Sequence, residues 1–205
     1  MSRERMLNRI RAAVSAGAPS TPPGPVPRDY RPAGDHAPGS PEVLELLTDR
    51  LVDYHAQVRT VTRAELTDAV REVLAEARTV IPPELPADVL AGVEKPVHDR
   101  SLTPEELDDV DAVITGARVA IAVTGTIILD AGPDQGRRAL TLVPDRHVVV
   151  LTADQVVETV PEALRRLDPV RPLTMVSGPS ATSDIELSRV EGVHGPRTLQ
   201  VLIVT

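Results

Sequence analysis

The sequence predicts an α/β fold in which a parallel or mixed sheet is flanked by helices. From residue 42 onward, segments with apolar residues at helical spacing alternate with short apolar segments. The short segments are rich in Val, Ile and Thr, which favour strands, and Gly or Pro bounds many of them. Strands that are separated by helical stretches are typical of a sheet with helices packed against it.

Composition excludes several classes of function. The 205 residues include no cysteine, so disulfides, thiolate zinc sites and cysteine-ligated iron–sulfur clusters are excluded within this chain. Tyr30 and Tyr54 are the only aromatic residues, too few for a platform that stacks nucleic-acid bases. Since we find no secretory signal and no apolar run of about 20 residues, we expect a cytoplasmic protein without a membrane span.

The charge distribution separates the N-terminus from the rest of the chain. Residues 1–17 carry four arginines and one glutamate, a net charge of +3. Because the whole chain has a net charge of −8, the remaining residues have a net charge of −11. We predict a basic amphipathic helix over 1–17 and a linker over 18–41, where eight of 24 residues are proline. The α/β domain is predicted over 42–205. Its acidity makes it a poor partner for nucleic acid or a lipid surface.

The first half of the domain begins with a predicted helix over 42–54 and a strand over 57–61. Thr62 followed by Glu65 is a capping-box pattern, which predicts the start of a second helix. Thr103 is the predicted cap of another helix, because proline and two glutamates follow it. The other predicted elements here are a strand at 79–81, a short helix and strand within 84–100, and a strand at 111–115.

The second half contains more strand-like segments. Residues 120–130 are predicted to form two strand halves around a Thr-Gly-Thr turn, and 137–152 two strands around Pro144. We predict a helix over 153–167 that Pro161 kinks. His147 is expected to cap or pack at the start of a strand. The remaining predicted elements are a strand at 172–177, a helix at 183–190 and a final strand at 199–204.

A turn rich in hydroxyl groups follows the strand at 172–177. Glycine lets its backbone approach a ligand, and free N–H groups at the start of the next helix attract a carboxylate or phosphate. The alternative is structural, since Ser183 or Thr182 can cap that helix and Gly178 can serve the turn. The candidate ligand-binding residues here are Ser177, Gly178, Ser180, Thr182 and Ser183.

Two further loops carry candidate residues. Thr124, Gly125 and Thr126 interrupt an apolar strand, so their hydroxyls either face the same ligand or bond the backbone at a bulge. His194, next to Gly195, can act as a general acid or base, or it can orient the loop. We expect the three loops to converge on a cleft at the carboxyl edge of the sheet, with Arg118 or Arg197 adding positive charge. No cluster with the spacing of metal ligands is visible.

Several motifs together resemble the lactate utilization protein C family, or LUD domain, over residues 42–205. The resemblance rests on five motifs in the same order: A-x-T-G-T at 122–126, L-x-P-x-x-H at 142–147, SGPS at 177–180, Asp184-Ile-Glu186, and GVHGP at 192–196. It implies a three-layer fold similar to those of ribose-5-phosphate isomerase, glucosamine-6-phosphate deaminase and the CoA-transferases. Val123 departs from the family pattern, in which many relatives carry an acidic residue.

The resemblance implies a role in oxidising L-lactate to pyruvate together with iron–sulfur partner proteins. Because this chain has no cysteine and no flavin or nicotinamide fingerprint, we expect the clusters on the partners and no cofactor here. The candidate catalytic residues are His194, Asp184 and Glu186, and Gly195 joins the ligand-binding set. One alternative is a stand-alone enzyme acting on a small anionic metabolite. Another is a non-catalytic module that docks a partner through its N-terminal helix.

Overall fold

The computed structural model describes residues 3–17, 24–27, 33–182, 190–191 and 195–205. Contacts divide the chain into two units, residues 1–30 and 31–205. The first unit contains helix α1 (Arg3–Ala16), which confirms the helix predicted there. No helix in the described ranges is both long and apolar enough to cross a membrane.

The second unit alternates helices and strands. In chain order its helices and strands are α2 (Pro41–Asp53), β1 (Gln57–Val61), α3 (Leu66–Leu74), β2 (Arg78–Ile81), α4 (Ala87–Leu90), β3 (Lys95–His98), α5 (Pro104–Asp108), β4 (Ala112–Thr115), β5 (Val119–Ile121), β6 (Thr126–Leu129), β7 (Arg146–Thr152), β8 (Val156–Val157), α6 (Val160–Arg165), β9 (Thr174–Val176), β10 (Ala181–Thr182), β11 (Val190–Glu191) and β12 (Thr198–Val204). Two 3-10 helices, Arg138–Thr141 and Ala153–Gln155, precede and follow β7.

A six-stranded sheet in the order β1-β12-β7-β4-β2-β3 forms the centre of this unit, and its strand pairs are parallel. The central strands β7 and β12 align along their whole length, for example at Val149 and Val201. Both faces of these strands are buried, which is why their sequences are nearly continuous apolar runs. The predicted α/β fold is therefore confirmed.

Alternate residues of the central strands supply two separate cores. On one face, Val149 and Val201 pack with α2 and with the hairpin β5–β6. On the other face, Val148 and Leu202 pack with α3 and α4. Because successive strand residues point to opposite faces, this alternation places the sheet between two covering layers.

A second, four-stranded sheet in the order β8-β5-β6-β9 lies within the first of these covering layers. Strands β5 and β6 form an antiparallel hairpin in which Ile121 pairs with Thr126. Strand β9 pairs antiparallel with β6, and Val176 lies opposite Ile127. The Thr-Gly-Thr turn is therefore directly beside the segment that follows β9, which carries the SGPS motif.

Local signals predicted several elements correctly. Strand β1 has the predicted bounds, and the capping box at Thr103 is present, since Thr103 Oγ1 accepts a hydrogen bond from Glu106 N–H. At Thr62, the Glu65 carboxylate accepts bonds from the backbone N–H and the hydroxyl, but helix α3 begins only at Leu66.

Three predicted elements differ in the structure. The first strand of 137–152 is instead a 3-10 helix, in which Leu140 is buried while Arg138 is exposed. The helix predicted over 153–167 begins only at Val160, so Pro161 lies in its first turn, where a missing N–H costs no hydrogen bond, and does not kink it. The helix predicted at 183–190 mostly lies outside the described residues, but Val190 belongs to strand β11.

Candidate functional site

A cleft of about 340 Å³ lies against the SGPS motif, and we call it the SGPS cleft. Its volume is in the range of small-molecule sites. Three segments contribute to its walls: the 3-10 helix before β7, the loop after β9, and the residues before β12. Its polar and loop residues include Arg138, Thr141, His147, Thr174, Ser177, Gly178, Ser180, Gly195 and Pro196.

The SGPS cleft lies at the amino ends of the central strands. His147 and Leu199, both in its wall, are the second residues of β7 and β12. Strand β9 runs antiparallel to β6 and carries Ser177 to this end of the molecule. The expectation of a cleft at the carboxyl edge is therefore wrong for the loops that form this cavity.

The carboxyl edge holds a smaller cavity of about 90 Å³, lined by Gly116, Asp134, Thr152 and other residues. The Asp134 carboxyl packs over Gly116, and burial raises the pKa of that carboxyl. Of the candidate site residues that the structure describes, none contributes to this smaller cavity. The SGPS cleft is thus the better candidate for a ligand site.

Hydrogen bonds connect the three candidate loops in their described parts. The hydroxyl oxygens of Thr126 and Ser177 are 2.8 Å apart, and Thr124 Oγ1 donates to Thr126 Oγ1 at 2.8 Å. The backbone N–H of Ser180 donates to the carbonyl of Pro196 at 2.8 Å. Ser177, Ser180 and Pro196 border the cleft, whereas the Thr-Gly-Thr turn supports its wall from behind.

Gly125 and Gly178 have packing roles that need no ligand. Both have positive φ angles, +58° and +89°, and both lie against the end of helix α2. A Cβ atom on Gly178 would be 2.6 Å from Tyr54 Cβ and 2.9 Å from Tyr54 O, closer than real contacts allow. The structural alternative considered from the sequence therefore explains these two glycines, because the loops must approach the α2 backbone.

His147 is the titratable group of the cleft that the sequence reasoning missed. Its side chain is 1% exposed, and its Nε2 lies 2.8 Å from the hydroxyl oxygen of Thr115. Burial lowers the pKa of His147 from 6.5 to about 4, so the ring is neutral near pH 7. It packs at a strand start as expected. The sequence signal that could have indicated a role in the site is its position in the L-x-P-x-x-H motif, immediately before the apolar run of β7.

Arg138 supplies the positive charge at the cleft. Its side chain is exposed, and among the described residues no carboxylate pairs with it. The two arginines suggested from the sequence are engaged elsewhere: Arg118 Nε donates to the carbonyl of Arg166, and Arg197 pairs with Asp145. Neither of those arginines belongs to the cleft wall.

The proposed catalytic residues His194, Asp184 and Glu186 lie outside the described residues, as does Ser183. Thr182 belongs to strand β10, where it pairs with Val190. The roles assigned to these residues stay predictions. Within the described ranges, no group of three or more His, Asp or Glu side chains is placed to hold a metal ion.

Comparison with known proteins identifies the family. The sequence profile of the LUD domain matches residues 44–204. This chain belongs to the LUD domain family. The match includes all three segments that form the SGPS cleft.

Individual LUD domain relatives match nearly the whole chain. A lactate utilization protein C from Deinococcus radiodurans is 47% identical over 206 residues, which cover 97% of this chain and 93% of that protein. A second lactate utilization protein C, from Halalkalibacterium halodurans, is 25% identical over 218 residues, an alignment that covers 95% of this chain and 94% of that protein. A crystal structure of a DUF162 family protein from Deinococcus radiodurans superposes with a TM-score of 0.70 at 42% identity, covering 80% of this chain and 97% of that one.

Proposed function

We propose that this LUD domain protein is a component of an L-lactate utilization system and acts with iron–sulfur partner proteins. The observation that carries the proposal is the 47% identity, over nearly the full length of both chains, to a protein named lactate utilization protein C. A match along the whole length includes the segments that form the SGPS cleft as well as the sheet.

Oxidation of lactate to pyruvate removes two electrons and two protons, so an electron carrier is required. This chain has no cysteine and therefore offers no thiolate ligands for an iron–sulfur cluster. In our proposal the clusters that accept the electrons belong to partner proteins, and this chain is the component without clusters. Its contribution is a binding site for a small anionic metabolite.

The SGPS cleft has the chemistry for that contribution. The residues after position 17 carry a net charge of −11, so a small anion needs a local cation and hydrogen-bond donors to bind. Arg138 provides the cation. The hydroxyl groups around the SGPS turn are held in place by bonds such as Thr126 to Ser177.

Deletion of the gene tests the proposal. We expect the deletion strain to grow normally on pyruvate but to lose growth on L-lactate and lactate consumption, and the wild-type gene to restore both. Complementation with Arg138→Gln should restore growth poorly. Arg59→Gln is the matched control, because Arg59, which lies on β1 and pairs with Glu72, is outside the cleft wall. Unimpaired growth of the deletion strain on L-lactate would overturn the proposal.

The partner proteins can be tested separately. A tagged copy of this chain, isolated under anaerobic conditions from cells grown on L-lactate, should retain proteins that contain iron and acid-labile sulfide. If the isolated chain retains no such protein and converts a small anionic metabolite by itself, the result would instead support the stand-alone enzyme considered from the sequence.

A further inference from the structure

We propose that the SGPS cleft binds a small hydroxycarboxylate, with Arg138 pairing with the carboxylate and His147 hydrogen-bonding the hydroxyl group. Thr115 is a positioning residue that holds the imidazole of His147. The inference rests on the proposed function in one respect, the choice of L-lactate as the probe. It deepens that function by naming the ligand class and the residues that select it.

The first step is the burial of His147. The ring is 99% buried in a strand whose neighbours in register, Val113 and Leu199, are apolar, yet it forms part of the cleft wall. A polar group in such a position is costly unless each of its polar atoms finds a partner. The bond between Thr115 and Nε2 satisfies one ring nitrogen, and no described residue satisfies Nδ1.

The second step is the kind of group that Nδ1 can accept. If Thr115 donates to Nε2, Nδ1 carries the proton and donates; if Thr115 accepts, Nδ1 is an acceptor. A hydroxyl group can both donate and accept, so it is a suitable partner for either tautomer. A bare carboxylate suits only the first of them. The arrangement of Thr115 and His147 therefore favours a ligand with a hydroxyl group.

The third step is charge. The imidazole is neutral near pH 7, since burial lowers its pKa to about 4, so it does not balance an anion. Arg138 is the cleft cation without a carboxylate partner among the described residues. The Thr141 hydroxyl, itself in the cleft wall, donates to the Arg138 carbonyl at 3.1 Å and so fixes the 3-10 turn that carries the guanidinium.

Binding of three related probes to the full-length protein tests this inference. Ligand-observed NMR titrations would use L-lactate, propionate, which lacks the hydroxyl, and L-lactamide, which lacks the charge. We expect propionate to bind about tenfold more weakly than L-lactate, and lactamide roughly ten- to a hundredfold more weakly. Equal binding of L-lactate and propionate would refute the role of His147, and no L-lactate binding would refute the whole inference.

Variants assign the two interactions. Arg138→Gln should weaken L-lactate binding roughly ten- to a hundredfold, whereas the control Arg59→Gln should not change it. His147→Leu, which removes both ring nitrogens, should bind L-lactate and propionate with nearly equal affinity. An unchanged preference for L-lactate over propionate in this variant would contradict the proposal, provided that circular dichroism shows the variant to be folded.

The role of Thr115 needs a readout that a purely structural residue would not change. In wild-type protein, ¹⁵N resonances of the His147 ring should indicate one dominant tautomer, and L-lactate should shift the Nδ1 resonance. Thr115→Val should mix the tautomers, while Thr115→Ser, which keeps the hydroxyl, should restore one. Identical ring spectra in all three proteins would refute a positioning role.

These outcomes are independent of the growth experiment. Normal growth of the deletion strain on L-lactate, together with selective lactate binding, would refute the proposed function and leave the binding inference standing. Loss of growth on L-lactate without selective lactate binding would support the proposed function and refute the binding inference.

Discussion

The buried imidazole of His147 makes the stability of this fold depend on pH in the weakly acidic range. The pKa of the ring is about 4 in the folded chain, compared with an ordinary value of 6.5. Between these two values the unfolded chain binds a proton that the folded chain does not bind. The contribution of the neutral His147 ring to the free energy of unfolding is therefore fully present above pH 6.5 and is lost as the pH falls through 6.5 towards 4.

The size of the effect follows from the difference in pKa. Each pKa unit corresponds to about 1.4 kcal/mol, so complete protonation costs the folded state about 3 kcal/mol. The part lost between about pH 7 and pH 5 is roughly 2 kcal/mol. The ordinary pKa values of Asp and Glu, about 4, lie below this interval, so His147 should contribute a large share of the change.

Urea denaturation of wild type and His147→Asn at several pH values measures this share. Because the chain has no tryptophan, circular dichroism should follow the unfolding. We expect the loss of stability between about pH 7 and pH 5 to be about 2 kcal/mol smaller in the variant. Equal pH dependence of the two proteins would refute the reasoning. So would an NMR titration of wild type that finds the His147 pKa near 6.5, a measurement that does not require the variant to fold.

Three further predictions concern stability. Gly178→Ala should lower the free energy of unfolding by about 1–3 kcal/mol, because a Cβ at φ +89° collides with Tyr54. Asp99→Asn should cost about 1–3 kcal/mol at neutral pH, since the mostly buried carboxylate accepts two bonds from Arg137, which also lower its pKa. Removal of residues 1–32 should leave the melting temperature within a few degrees, whereas removal of 1–40 should lower it further, because Gly34, His36 and Gly39 bond to the segment 156–162.

Each of these predictions has a matched control. Gly24→Ala should leave stability unchanged, since no atom lies within 4 Å of the added Cβ. Asp145→Asn should cost less than about 1 kcal/mol, because its ion pair with Arg197 is more than half exposed. Equal costs within either pair would contradict the packing and burial arguments. Equal melting temperatures for the two truncations would show that the bonds of residues 33–40 to the segment 156–162 add nothing to stability.

Strands β4 and β12 could be predicted because their sequences carry the physical cause of their structure. A strand in a parallel sheet between two covering layers is buried on both faces, so its sequence is an apolar run with β-branched residues. The cap at Thr103 is also local, since Thr103 and Glu106, three positions apart, each accept a hydrogen bond from the backbone N–H of the other. The 3-10 turn at Arg138–Thr141 was missed because its apolar residues resemble a strand, and only packing of Leu140 against the sheet decides otherwise.

The candidate site divides in the same way. The sequence by itself determined the elements of the α/β unit that local pattern specifies, and it singled out the SGPS turn and the Thr-Gly-Thr turn, because glycines and hydroxyl groups are visible as residues. Tertiary structure decided which edge of the sheet holds the cleft. It also decided that Arg138 rather than Arg197 supplies the charge and that Thr115 meets His147. These contacts join residues far apart in the chain, and they depend on the order in which the strands pair, which no local pattern encodes.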